Sequence, residues 1–185
     1  VTAGGTLVEH SVHDFDLFTW MFGPIRRLYC RTRILNGAPG IEDAGFTQIE
    51  FAAGFHGQLT SVWHHVSQRP SNRRLEFFSE NLFLSCDHDV NGPITMQRGD
   101  GPEERISEPE VMERFEEIVL ASRPYLRPLS DILRLPYALE DAAFLAALGG
   151  AITPDPGFAA GVAAQRVVEA AYESARTGGP IDIAR

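Results

Sequence analysis

The chain has 185 residues, 44% of them hydrophobic and 22% charged, with a formal net charge of -9. That length supports a sizeable core, and the balance is that of an ordinary soluble globular protein. The acidic surplus argues against a phosphate-tracking surface, so nucleic acid is excluded as a partner, and no apolar run is long enough to cross a bilayer.

No signal peptide opens the chain, and its start at Val1 rather than at Met suggests a piece of something longer. Cys30 and Cys86 are far apart and outside any metal-type spacing. They read as reduced packing residues of an intracellular, cytoplasmic protein.

The first predicted element is a helix within "GGTLVEHSVHDFDLFTWMFGP". Thr6 and Glu9 match a capping box, and Gly23-Pro24 is a stop. Its second half is almost wholly apolar, as in a helix buried on most sides. Its first half carries Glu9, His10, His13, Asp14 and Asp16, a costly set to bury unless paired or employed.

From Ile25 to about Arg98 the pattern changes to strands: "IRRLYCRTRIL", "GFTQIEFA", "FHGQLTSVWHHV", "RRLEFFS", "NLFLSCDHDV" and "PITMQR". Ala52–Gly54 and Asn91–Gly92 read as hairpin turns, and consecutive hairpins give a mostly antiparallel sheet. In "RRLEFFS", Leu75 and Phe77 point one way and Phe78 the other. One face is expected to meet helices, and the outer face to form a homo-oligomer contact.

"RGDGPEERISEPE" reads as a loop. Helices follow at about Glu110–Ser122, from Pro136, and through "GFAAGVAAQRVVEAAYESARTGG". The last sets Val162, Val167, Val168, Ala171 and Ala175 on overlapping stripes and ends at Gly178-Gly179; "PIDI" is a short closing strand. The expectation is one α+β domain over residues 1–185, a large, mostly antiparallel open sheet with helices packed on one face. There is no strand–GxGxxG–helix unit and no P-loop; "GDG" at Gly99–Gly101 sits in a polar loop.

Glu9, His13, Asp16 and Trp20 recur at helical spacing and form one stripe, while Val8, Val12, Phe15 and Phe22 form an apolar one. A carboxylate one turn from a histidine can orient the ring and stabilise its cation, which suits proton transfer near neutral pH. The plainer readings stay open. Glu9 can be a capping residue, His13 a hydrogen-bonded core histidine, and Asp14 and Asp16 first-turn charges favoured by the macrodipole. A Glu9/His13/Asp16 metal site, and with it a metal-dependent hydrolase or isomerase, lacks an identifiable further ligand, so no metal is expected.

"GGTLVEHSVHDFDLFTWMFG" resembles the Gly-rich, His-Asp-x-Asp helix near the start of the C-terminal domain of Gfo/Idh/MocA oxidoreductases. "RRLEFFSEN" is similar to the mid-sheet strand and turn of those domains. "YALEDAAFLAAL" and "PDPGFAAGVAAQRVVEAAYESARTGGPIDI" resemble their closing helices and final strand. The resemblance covers nearly the whole chain in the family's order, and implies a glyceraldehyde-3-phosphate-dehydrogenase-like fold. It also implies a two-domain parent, in which a Rossmann domain absent from this chain binds NAD or NADP and this domain binds substrate and builds the oligomer contact. No cofactor-binding residue is expected here, nor binding of cofactor by this chain alone.

The family's active-site histidine matches His13, and Glu9 stands where many members have Asp. The implied chemistry is oxidation of a sugar or polyol hydroxyl. His13 takes the hydroxyl proton as hydride leaves for nicotinamide, Glu9 orients His13 or a substrate hydroxyl, and Asp16 gives support on the substrate side. Of His64 and His65, next to Trp63 at a strand end, at most one faces the cleft that the resemblance implies; His65 is the candidate substrate contact, and a structural role at the sheet surface stays open beside it. Arg69, Arg73 and Arg74 form a basic loop, while His56 and His88 read as turn or edge residues. The competing reading is a non-catalytic binding or assembly domain that keeps the fold.

Overall fold

The computed structural model describes residues 4–66, 68–69, 72–88, 92–127 and 136–183. The chain divides into two compact units, one made of Val1–Ser67 with Asp155–Arg185, the other of Gln68–Pro154. Among the described residues all strand pairs are antiparallel, and with four α-helices the class is α+β.

In the first unit β1 (Ile25–Arg33), β2 (Ala44–Phe51) and β3 (His56–Val62) are successive hairpin neighbours. A short β8 (Ile181–Asp182) joins the free edge of β1, giving the order β3-β2-β1-β8. The expected turn at Ala52–Gly54 joins β2 to β3, with Gly54 at φ 91° supplying the left-handed backbone. In the second unit β4 (Leu75–Phe78), β5 (Leu82–Cys86), β6 (Ile94–Arg98) and β7 (Glu104–Ile106) follow one another in sheet order. The strands therefore form two four-stranded sheets. The connection from β3 to β4 spans residues 63–74, too long for a tight hairpin.

Sequence reasoning placed β7 in a loop. Its three residues are too few to show alternation, and only the ladder to β6 makes it a strand. Asn91, of the second predicted turn, lies outside the described residues.

The opening helix begins with a π-helical turn, Leu7–Ser11, and continues as α1, Val12–Phe22. The others are α2 (Glu108–Ser122), α3 (Pro136–Leu148) and α4 (Phe158–Thr177). On α4 the buried residues are Ala164, Val167, Val168, Ala170, Ala171 and Ser174, small enough to bring the helix close against β1. Val162, expected on this stripe, is exposed, because it precedes the part of α4 that meets the sheet. The inner sheet face pairs Leu28 with Ile49 and Cys30 with Thr47. Gly45 makes room for Leu7, whose Cδ2 would lie 2.7 Å from a Cβ there. Both cysteines are buried and neither forms a disulfide, and burial pushes both thiols above their ordinary range.

In the second unit, strand register puts Leu75, Cys86, Ile94 and Ile106 on one face together with Phe77, Leu84 and Met96. The opposite face holds Phe78, which is exposed and packs on Phe83 with ring centroids 5.0 Å apart. Val119 and Leu126 form a small core with Leu120, Tyr125, Leu139 and Ala142 of the same unit.

One polar contact locks α4 to the sheet. Strand β8 pairs only with Arg27 and Leu28, so the Cys30 amide lies beyond its reach. The buried Ser174 hydroxyl takes that amide at 2.8 Å and donates to the Gly179 carbonyl at 2.6 Å. Ser174→Ala leaves a buried N–H unsatisfied and should cost about 1–3 kcal/mol. A urea melt of the variant is expected to show a lower midpoint at unchanged slope; an unchanged midpoint would show that the amide finds another acceptor.

Candidate functional site

The predicted Thr6/Glu9 capping box does not form. Thr6 is already helical at φ -60° and ψ -26°, and its hydroxyl pairs with Ser61 Oγ at 2.7 Å. The same motif does close at α2, where Ser107 is extended and the Glu110 carboxylate accepts from its backbone N–H at 2.9 Å and its hydroxyl at 2.8 Å. A capping box needs a non-helical first residue, and Thr6 is not one.

The first amides of the opening helix are satisfied instead from the β1–β2 connection. Glu42, 8% exposed, accepts from Gly5 N at 3.1 Å through Oε2 and from Leu7 N at 3.0 Å through Oε1. Its own carbonyl accepts from Thr6 N at 3.0 Å. Tyr172 of α4 donates its phenol to Glu42 Oε1 at 2.9 Å. Burial first, and the Glu42 carboxylate second, push that phenol well above its ordinary range. The approach is close: a Cβ on Gly5 would lie 1.8 Å from the Glu42 carbonyl oxygen. An anion at a helix N-terminus is also favoured by the macrodipole.

Beyond this anchor, Leu7, Ser11, Asp14, Phe15 and Phe18 are buried. Glu9, His10 and His13 are exposed, and Asp16 is half-buried. The expectation of a helix buried on most sides is thus corrected. Its apolar second half leaves Trp20 82% and Met21 43% exposed, while Phe15 and Phe18 are buried on a helix that packs against α4. The buried carboxylate is Asp14. The stripe of Glu9, His13 and Asp16 stands on the open side of the helix, where a ligand can reach it.

The end of β3 borders the π turn. The His10 ring meets Trp63 edge-on, with centroids 4.9 Å apart and planes at 78°. His64 accepts the Val66 amide on Nδ1 at 3.1 Å, a local turn contact, and His65 is exposed on the same segment. The structure thus brings His10 to Trp63, a pair that sequence reasoning did not make.

Asp43, adjacent to Glu42, faces the other way. Its carboxylate accepts from Leu35 N at 2.6 Å and from Asn36 and Gly37 N at 2.7 Å each. Those backbone donors, Asn36 and Leu35 foremost, hold it below the usual carboxylate range. Sequence reasoning missed Glu42, Asp43 and Tyr172. Two adjacent acids abutting the apolar start of β2 were the available signal.

Among the described residues no three His, Cys, Asp or Glu side chains gather as a metal site. Nor do they fit a dinucleotide, because all ladders are antiparallel and no strand runs into a glycine-rich helix start. No helix among them is long and apolar enough to cross a membrane.

The chain belongs to the Gfo/Idh/MocA oxidoreductases: the model of the "oxidoreductase family, C-terminal alpha/beta domain" matches residues 1–183. Among curated protein sequences none matches the chain.

Solved structures share the fold at low identity. The WlbA dehydrogenase from Bordetella pertussis, in complex with NADH and UDP-GlcNAcA, is 18% identical with a TM-score of 0.71, over 98% of this chain and 46% of that one. An oxidoreductase from Agrobacterium radiobacter, in complex with NAD+, L-tartaric acid and magnesium, is 17% identical at 0.70, over 98% and 51%. Levoglucosan dehydrogenase is 14% identical at 0.73, over 98% and 52%. The chain spans about half the length of these proteins.

Because Asp43 has a depressed folded-state pKa, its stabilising contribution is present above the unfolded value of about 3.9 and is lost as pH falls through the folded one. Asp43→Asn should therefore lower the thermal midpoint at pH 7 and flatten its acid dependence below about pH 4. Parallel acid curves for the two proteins would refute the assignment.

Proposed function

We propose that this chain is the substrate-binding and acid/base half of an NAD(P)-dependent oxidoreductase acting on a sugar or polyol hydroxyl, with residues 1–185 serving as one substrate-binding and oligomerisation domain. The observation that carries it is the Glu9–His13 pair, one turn apart on the open side of the first helix in a chain of this family. His13 takes the proton of the hydroxyl whose carbon is oxidised, and Glu9 holds the ring or a neighbouring hydroxyl of the substrate. Asp16 and His65 supply further polar contacts to a hydroxyl-rich ligand. Support for the substrate class comes from the fold relatives, one in complex with UDP-GlcNAcA and NADH, another with L-sorbose and NADH. The described residues do not fit a dinucleotide, so NAD or NADP would be held elsewhere in the full-length enzyme, and this chain's own part is proton transfer and substrate binding.

In the full-length enzyme His13→Ala should lower turnover by about 10²–10⁴ and leave cofactor affinity nearly intact. Glu9→Gln should slow turnover while the helix stays folded. If His13→Ala keeps wild-type turnover and loses thermal stability, the stripe is structural and the non-catalytic assembly reading replaces this one.

The same proposal includes a homo-oligomer through the outer sheet face. The exposed Phe78 beside Phe83 favours it, since an uncovered aromatic pair on a sheet gains by association. Light scattering should give a mass above 20.4 kDa for the chain, and Phe78→Ser should shift it toward monomer. A monomer across a wide concentration range counts against this contact.

A further inference from the structure

We propose that Glu42 and Tyr172 are positioning residues for the acid–imidazole stripe: their carboxylate–phenol clamp holds the π turn and so sets how Glu9 stands over His13. This rests on the acid/base reading of that stripe.

The π turn is an uncommon local structure, and such turns are frequent at functional sites. It carries a cost here, because the Ser11 hydroxyl at its end is buried with no hydrogen-bond partner among the described residues. Something must repay that cost, and Glu42 is placed to do so. It takes the amides of Gly5 and Leu7 on two different oxygens, and its carbonyl takes the Thr6 amide between them. Three consecutive donors are therefore fixed to a single residue outside the helix.

That residue is itself held on two sides. Asp43 gathers the loop amides of residues 35–37, and its own N–H bonds to the Arg33 carbonyl at 3.1 Å. Tyr172 comes from α4, which packs on β1. The clamp transmits the position of the sheet and of α4 to the first turn of the helix.

The turn matters because of its phase. In an α-helix of 3.6 residues per turn, position i+4 overshoots i by about 40°. A π turn bonds i to i+5 and is wider, so the fourth residue falls back beneath the first. Glu9 lies inside the turn and His13 just past it. Collapse of the turn to α geometry restores the overshoot of about 40° between positions 9 and 13 and so turns Glu9 relative to His13.

The test has two arms. In the isolated chain, NMR of residues 5–13 is recorded for wild type, Tyr172→Phe and Glu42→Gln, with Ser174→Ala as a destabilised control. Tyr172→Phe removes one hydroxyl and serves if Glu42→Gln does not fold. Both clamp variants should exchange the Gly5 and Leu7 amides at least about tenfold faster, as loss of one hydrogen bond allows. Their contacts across residues 7–11 should change from i,i+5 to i,i+4, while the control keeps the wild-type pattern. In the full-length enzyme, Tyr172→Phe should lower kcat by about tenfold or more with KM little changed, as slight misplacement of a catalytic group does. Glu42→Asp, which keeps the charge and loses the reach, should not restore it, and Ser174→Ala should lower Tm without lowering kcat.

An intact π pattern in both clamp variants overturns the clamp, and a collapsed turn with unchanged kcat overturns the positioning role. A wild-type enzyme that oxidises no sugar or polyol sinks the acid/base reading and the catalytic part of this proposal together; the NMR arm then separately upholds or overturns the clamp.

Discussion

A helix that starts inside a core must find acceptors for its first amides, and here a single buried carboxylate meets that demand. Burying the charge of Glu42 would be prohibitive in an apolar setting. It is tolerable because two amides and a phenol donate to it and the helix N-terminus supplies positive potential. Around that contact lie the close approach at Gly5 and the packing of Leu7 over Gly45. Removing the Glu42 carboxylate would strand three donors at once, and the close approach of its carbonyl leaves no space for a Cβ at position 5.

The strands and the long helices were legible in the sequence because they carry periodicity over many residues. Strand β2 alternates buried and exposed positions along most of its length, and α4 ends at Gly178, in the left-handed conformation its sequence announces. What was not legible depends on tertiary partners. Thr6-x-x-Glu9 and Ser107-x-x-Glu110 are the same motif on paper. Only the second closes, because Ser107 enters its helix extended while Thr6 is already helical and bonded to Ser61. The local difference is Pro109 in the first turn of α2, a helix-start signal that the Thr6 segment lacks. Strand β7 exists only because β6 offers an edge.

The candidate site was half legible. Spacing put Glu9, His13 and Asp16 on one stripe, and that stripe is on the open side of the helix. Spacing could not foresee that the turn beneath Glu9 is π-helical, nor that the acid completing the helix start lies between two strands. His10, which matched no pattern, is the imidazole that meets an aromatic ring, because the end of β3 passes beside the π turn. The chemistry that defines a site is often set by residues that approach from distant parts of the chain, and these leave only a faint mark on any one segment.

Strand β8 joins β1 at residues 181 and 182, and Tyr172 meets Glu42 across a separation of 130 positions. The unit that carries the candidate site is therefore drawn from both ends of the sequence, with Gln68–Pro154 forming an excursion between its two parts. Its native contacts have high contact order, and such topologies fold slowly because loop entropy must be met before distant pairings reward it. Yet that entropy grows only logarithmically, by about 0.6 kcal/mol for each doubling of the loop. The length of the excursion is thus nearly free to vary in evolution, so relatives can enlarge or trim the second unit while the two ends go on closing around the same helix.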